Sequence, residues 1–556
     1  MAARAGLAVM VAVAAALAVR PAQGQAPAER PLVRIPFPED ARRLTPYTFE
    51  LGYPLVTLVY DTLMWRDAAG TPRPWLAESV TRRAGGRRVT IRLRRGVRWH
   101  DGAPLTAADV TFTFGYVARR YHPRFTPQLE DVERVQAEGR DTVVITLRRP
   151  SLGFADQPLA DLPILPRHLW SRLPPGRSAP AGPPVGSGPY RVAGGRREGG
   201  YRLRANRGYF RGAPLVRTIA VSLERDADRA VRALARGRVD MVPAGLPEEE
   251  ARRLEDPSVR IARGPSFVGT VLMFNLRRPP FDRPAARRAV AVALNLRRIA
   301  AVVGRAVPAE RGYLHPASRW SSRAVLHRFE EGTARAALRR LDLPVVHVLA
   351  NGRDPVRLQG GREAVSLLRR AGARARLERV SAGALARAVG QDGAAPTFQA
   401  AIWSAPPLAS HDPGFLPRVF GPPGREAPLN YSGYRSAAFD RLAARVAAAP
   451  TAGGRRAAVG QELRLLARDV PVVPLLFAEG AFAYRPSAYD RWVFVRGSGI
   501  LDKRSFLPGE AAAARRAAGD GDDAGGFPIG ALGVLALALL AAALGLATAA
   551  LLRRRR

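Results

Sequence analysis

The stretch 59–117, VYDTLMWRDAAGTPRPWLAESVTRRAGGRRVTIRLRRGVRWHDGAPLTAADVTFTFGYV, decides how the rest of the chain is read. Within it Val89, Ile91 and Leu93 alternate with Thr90, Arg92 and Arg94, the period of a half-buried strand. A turn bounded by glycines follows. Thr106 and Asp109 then form a capping-box pattern that opens a helix with Val110, Phe114 and Val117 on one face. Strand, turn and helix follow one another directly, and the alternation continues outward. Val143, Ile145 and Leu147 mark a second strand. Asp282 and Pro284 predict a helix running through Val290 and Leu294 to a stop near Gly304. VVHVLA, a helix over roughly 354–371, Gly372 and RARLERV make a βαβ-like unit. Ser436 caps a helix whose Phe439, Leu442 and Val446 share a face, and VPVVPLL returns as a strand. The fold class is α/β (α+β) without internal repeats. A chain of 556 residues exceeds what one core serves, so several lobes are expected.

The formal net charge is +40, but of the 87 basic residues only Lys503 is a lysine. The arginines are spread through strands and helices alike instead of lining one face or tail, which excludes a phosphate-tracking surface, and no nucleic-acid partner is expected. Apolar residues make up 47% of the chain, too many for a disordered one. There is no cysteine, hence no disulfide, no thiolate metal site and no lipid-bearing N-terminal cysteine.

Both ends carry apolar runs. Arg4 precedes an apolar stretch at 5–19, the length of a signal-peptide core, and Ala22, Gly24 and Ala26 offer cleavage sites. We expect a signal peptide at 1–24; an uncleaved anchor is the other reading. Residues 529–552 are uncharged and apolar and would reach about 36 Å as a helix at ~1.5 Å per residue, enough to span a bilayer. The four arginines 553–556 follow at once and place that end in the cytoplasm, with the body outside. Between body and the expected transmembrane helix 527–552 lies PGEAAAARRAAGDGDDAGG, 508–526, which reads as a stalk.

Catalytic patterns are thin. The seven histidines are scattered, with no HExxH, no GxSxG, no phosphate loop and no GxGxxG after a strand. Asp101 beside His100 could be drawn as an acid–base pair, but its turn between strand and helix gives it a structural role. No enzyme activity, cofactor or metal is expected.

The quoted stretch also resembles the bacterial extracellular solute-binding proteins of family 5, the peptide and nickel receptor group. Further pieces follow in the family's order: VGSGPYRV at 185–192, NRGYFRGAPLVRTIAV at 206–221, ALARGRVDMVP at 233–243, FNLRRPPFDRPAARRAVAVALNLRRIAAVVG at 274–304 and FDRLAARVAAAPTAGGRRAAVGQELRLLARDVPVVPLL at 439–476. The resemblance spans roughly 35–505 and implies a bilobed, periplasmic-binding-protein-like body at 25–507. Lobe 1 would take 31–267 and 471–505, with an extra subdomain near 50–165, and lobe 2 would take 268–470. Lobes of this kind close on a ligand held between them. The implied role is the substrate receptor of an ABC importer, exported, monomeric, and working with permease subunits on a small, peptide-like solute.

The resemblance also implies a pocket. In AIWSAPPLASHDPGF, 401–415, Trp403 and Ser404 match the pocket-lining position, with core packing as the plain reading for Trp403. The aspartate the family places soon after that tryptophan is missing, and Ala405, Pro406 and Pro407 stand there. Asp412, beside His411, is either a displaced ammonium partner or the family's later Asp-Pro turn. Tyr53 is either a ligand contact of the first lobe or an ordinary half-buried tyrosine. Loss of the carboxylate leads to the expectation that N-blocked or anionic ligands bind better than free-amine peptides.

Overall fold

A computed structural model describes residues 31–512 apart from 38–43, 50–51, 175–177, 194–199, 225, 244–245, 247, 255, 425–426 and 511. The expected signal peptide, residues 513–526 of the stalk, the apolar run 529–552 and the basic tail lie outside the described residues. Among the described residues no helix is long and apolar enough to cross a membrane.

The segment that opened the sequence reading folds as expected. Arg88–Leu93 is a strand with Val89, Ile91 and Leu93 buried. It sits in a four-stranded antiparallel sheet in the order Ala77–Arg83, Arg88–Leu93, Thr142–Leu147, Val132–Glu138. The helix Ala107–Arg119 begins at the Thr106/Asp109 capping box. Its Val110, Phe114 and Val117 join the buried strand residues in one core.

A second sheet, Val33–Phe37, Thr218–Leu223, Tyr201–Ala205, Tyr190–Val192, belongs to the first lobe. Several of the motifs that carried the resemblance meet beside it on Asp61, which is fully buried. Asp61 accepts from Trp75 Nε1 at 2.9 Å, Tyr209 Oη at 2.9 Å and Ser187 Oγ at 3.1 Å. It pairs with Lys503 Nζ at 2.8 Å, and that ammonium stands 4.2 Å and 4.9 Å from the ring centroids of Trp65 and Trp75. A compact ammonium suits this slot, where a planar guanidinium needs a wider fork. The glycines of VGSGPYRV have a matching reason. A Cβ at Gly186 would stand 1.9 Å from the Val59 carbonyl oxygen, so the loop lies flat against that backbone.

The third sheet has six strands, ordered Ala306–Pro308, Val472–Tyr484, Arg260–Phe274, Ala400–Ala405, Val346–Asn351, Ala375–Val380. Helices cover it, with one core around Phe274, Val290, Ile299, Leu368 and Leu475 and another around Met273, Leu314, Phe420, Phe439 and Leu466. Burying each such side chain contributes about 1.5–3 kcal/mol. The βαβ-like unit is present: Val346–Asn351, helix Pro355–Arg370 and Ala375–Val380, the two strands parallel. The single helix expected from Pro284 to Gly304 is instead two, Pro284–Val292 and Leu296–Val303. Asn295 ends the periodic run because its side chain accepts from Arg298 N and starts a new helix as its cap.

Two strands are long enough to leave this sheet. Arg260–Phe274 pairs antiparallel with Val472–Tyr484 along nearly its whole length, and the register shifts between Pro265 and Gly269. Phe267, within the shift, has φ +61°, and Ser266 Oγ donates to the Ala478 carbonyl at 2.9 Å. Beyond the bulge the strand pairs with Ala400–Ala405; before it, Ile261 packs on a cluster that includes Leu234 and Val242. The body is a bilobed α/β fold, and this strand pair crosses between its lobes.

Candidate functional site

A cavity of about 350 Å³ lies at the crossing. Ser266, Val268 and Thr270 of one crossing strand line it, with Glu479, Gly480 and Phe482 of the other. Asp354, Val356 and Arg357 enter from the start of the helix Pro355–Arg370, and residues 497–499 and Leu246 close it. The helix start follows the carboxyl end of the strand Val346–Asn351, the edge where open α/β sheets present ligand-binding groups. Asp354 caps that helix by accepting from Arg357 N at 2.9 Å, and it pairs with the Arg357 side chain. Glu479 stands 3.7 Å from Arg305 and is one-third exposed. The cavity therefore mixes apolar walls with two carboxylates and one guanidinium, in a chain whose surface is dominated by arginine.

The five residues singled out from the sequence fall in different places. Ser404 lies directly across from Thr270, so it shares the sheet face that borders the cavity. Trp403 pairs with Val271 and takes the opposite face, half-buried, with its ring edge-on to Tyr431 at 5.6 Å. Tyr53 is at the start of the helix Tyr53–Val59; its hydroxyl donates to the Asp161 carbonyl at 2.5 Å, and the Arg124 guanidinium lies 3.9 Å from its ring centroid. His411 is buried, its ring centroid 5.1 Å from that of Phe267, and burial pushes it well below the usual imidazole range. A Cβ on Gly497 would meet its Nε2 at 2.4 Å, so a glycine is what lets the first lobe close over that ring.

Asp412 is held by its own lobe. It is 4% exposed, pairs with Arg455 Nη2 at 2.5 Å and accepts from Gly414 N at 3.1 Å in an Asp-Pro turn. It does not line the crossing cavity. It faces instead a seam between the subdomain and the second lobe. Across that seam Arg319 pairs with the buried Asp156 at 2.5 Å, and Arg418 donates to Gln157 Oε1 at 3.2 Å. Burial and the neighbouring Asp412 charge push the Asp156 carboxyl up.

The pair imagined at positions 100 and 101 diverges. Buried His100 bonds Gly188 O and Gly186 N, while Asp101 accepts from Ala103 N and meets His168 at 2.6 Å. Among the described residues no group of three or more histidine, aspartate or glutamate side chains is placed to hold a metal ion. Sequence reasoning missed Asp354, Arg357 and Glu479. The Asp354-Pro355 step after a strand was a readable helix cap, but Glu479 reaches the cavity only through the pairing of distant strands.

The family model for bacterial extracellular solute-binding proteins, family 5 middle region, matches residues 71–424, and the chain belongs to this family. Di/tripeptide-binding protein 2 of Pseudomonas aeruginosa is 28% identical over 284 residues, covering 46% of this chain and 52% of that protein. The oligopeptide-binding protein AppA of Bacillus subtilis is 29% identical over 194 residues, covering 34% and 36%. The chain thus spans about half the length, or less, of the curated relatives it matches. In fold, the solved structure of the Bacillus subtilis AppA in complex with a nonapeptide superposes with a TM-score of 0.72 at 20% identity, covering 86% of this chain and 99% of that one. NikZ of Campylobacter jejuni in complex with Ni(L-His) gives 0.71 at 21%, covering 82% and 94%. These relatives are binding proteins rather than enzymes.

Proposed function

We propose that the chain is the extracytoplasmic substrate receptor of an ABC importer, taking a peptide-like solute into the cavity at the crossing strands. The observation that carries the reading is the position of that cavity. It is walled by both crossing strands together with residues 497–499 of one lobe and the helix start at Asp354 of the other. A ligand that touches both lobes stabilises only the closed arrangement, and its differential affinity drives closure. A volume of about 350 Å³ lies at the small end of ligand pockets and suits a solute the size of a short peptide. Ser404 supports the reading from the cavity's own face, whereas Trp403 and Asp412 bear on the ligand only indirectly. Asp354 is paired with Arg357, so the one-third exposed Glu479, only loosely held by Arg305 at 3.7 Å, is the carboxylate that favours a free-amine over an anionic ligand. This reverses the preference drawn from the segment alone.

In this reading the apolar run 529–552 anchors the body in the cytoplasmic membrane, and ABC permease subunits receive the solute. The test is a thermal-shift screen of the whole protein against dipeptides, tripeptides and their N-acetylated forms. Binding at ~100 Kd adds about 2.7 kcal/mol of stability. Val268→Trp, which fills the cavity, is expected to abolish the response. A response that survives Val268→Trp unchanged would remove the cavity from the mechanism.

A further inference from the structure

A second cavity, of about 370 Å³, lies between the subdomain and the second lobe. Five of its lining side chains are almost completely buried: Gln128 at 8%, Gln157 at 7%, Arg418 at 6%, Asp412 at 4% and Arg455 at 2% exposure. Polar atoms on three of them have no hydrogen-bond partner within the protein: Gln157 Nε2, Gln128 Oε1, and Nε and Nη1 of Arg455. Buried polar groups are almost always satisfied, so such a concentration just behind one cavity marks side chains that would gain a partner by turning toward an occupant.

The charges say which kind. Arg455 is neutralised by Asp412. Arg418 has no carboxylate within ion-pair distance among the described residues: it donates to the Arg124 carbonyl and the Gln157 amide oxygen, each at 3.2 Å, and lies 5.0 Å from the Phe415 ring centroid. Burial pushes this guanidinium down to about 10, against the pull of the more distant Asp161, Asp412 and Glu130 carboxylates. Guanidinium forks recognise carboxylates bidentately, and the free Gln157 amide hydrogens can donate to the same group. The lining also holds Arg149, which pairs with Asp131 at 2.5 Å, and two further acids, the exposed Glu130 and the half-buried Asp440.

We propose that this cavity is a second ligand site, which takes the carboxylate of a small zwitterionic solute on Arg418 and Gln157 and directs its ammonium toward Glu130 and Asp440. A solute held there touches the subdomain and the second lobe together, and so also favours the closed arrangement. The inference stands apart from the crossing cavity, with which this lining shares no residue.

The experiment is calorimetry on the full-length protein carrying Val268→Trp, so that the crossing cavity is blocked. The probes are glycylglycine, glycylglycinamide and N-acetylglycylglycine. Glycylglycine is expected to bind, and either modified probe to bind roughly tenfold or more weakly, the loss of one charge-assisted contact. Arg418→Gln on the same background is expected to weaken glycylglycine by a similar factor. Should that variant fail to fold, Gln157→Leu keeps the guanidinium and carries the same expectation. Equal binding of the amide, an unaffected Arg418→Gln, or no binding at all overturns the second site. Binding by the wild type that disappears with Val268→Trp overturns it too, while leaving the crossing cavity as the receptor site.

Discussion

Glu462 is fully buried on the helix Ala452–Asp469, and neither of its carboxylate oxygens has a hydrogen-bond partner within the protein. Burial raises its carboxyl from 4.5 to about 8, with Arg455 drawing it down and Asp412 pushing it up. The folded protein therefore keeps a proton that the unfolded chain releases, and stability falls as pH rises between those two values. The histidines act in a different window. Burial lowers His100, His122 and His315 from 6.5 to about 4, so the unfolded chain takes up their protons first and their contribution is lost as pH falls below 6.5. Just above pH 6.5 the unfolded histidines are still part-protonated and their release adds a little stability, whereas Glu462 alone among these four removes it throughout the range 6.5 to 8. Thermal unfolding over that range is expected to show the wild type losing about 2 kcal/mol relative to Glu462→Gln, at about 1.36 kcal/mol per pH unit. Parallel curves for the two proteins would mean the side chain ionises freely. Glu462 could not be picked out from sequence, because a glutamate in a helical run reads as solvent-facing until the helix's packing is known.

At the scale of elements, the 3₁₀ turn Leu152–Ala155 presses on the second lobe through Gly153. A Cβ there would stand 2.6 Å from Asp412 Oδ2 and 2.7 Å from Arg455 Nη2, an ion pair that is itself buried. Gly153→Ala is expected to cost about 1–3 kcal/mol, as overpacking does. It should also widen the particle in solution scattering, since the turn must back away from the lobe. A variant that melts and scatters like the wild type would show that this contact is not made in solution. Local signals foretold most elements. The Thr106/Asp109 box and the Ser436 cap both act where the pattern put them, with Ser436 accepting from Phe439 N. The break at Asn295 was missed because the apolar spacing runs on through it. What decides there is the side-chain bond to Arg298 N, and periodicity does not register a cap within a periodic run.

At the scale of the whole molecule, the body's attachment is open to a direct experiment. The stalk 508–526 and the run 529–552 predict that deleting 527–556 sends the protein to the medium or periplasm. Protease added to spheroplasts should release the body by cutting within the stalk. A truncated protein that stays with the membrane would defeat the anchor reading. The two lobes of the body are joined by the long strand pair and by side-chain contacts such as Arg319–Asp156 across the seam.

The sequence by itself determined the class of fold and the family. Strand and helix periods, caps and the ordered motifs are local, and local patterns survive in one dimension. Asp61 shows the limit: its segment was recognisable, but its partners come from 75, 187, 209 and 503, and only the folded chain brings them together. The site shows the same limit more sharply. Trp403 and Ser404 are neighbours in sequence, yet strand geometry turns them to opposite faces. Asp412 looked available as a ligand anchor until Arg455, forty-three positions on, was seen to hold it. Which carboxylates face a ligand depends on which strands pair and how the lobes meet, and those contacts are decided by tertiary packing.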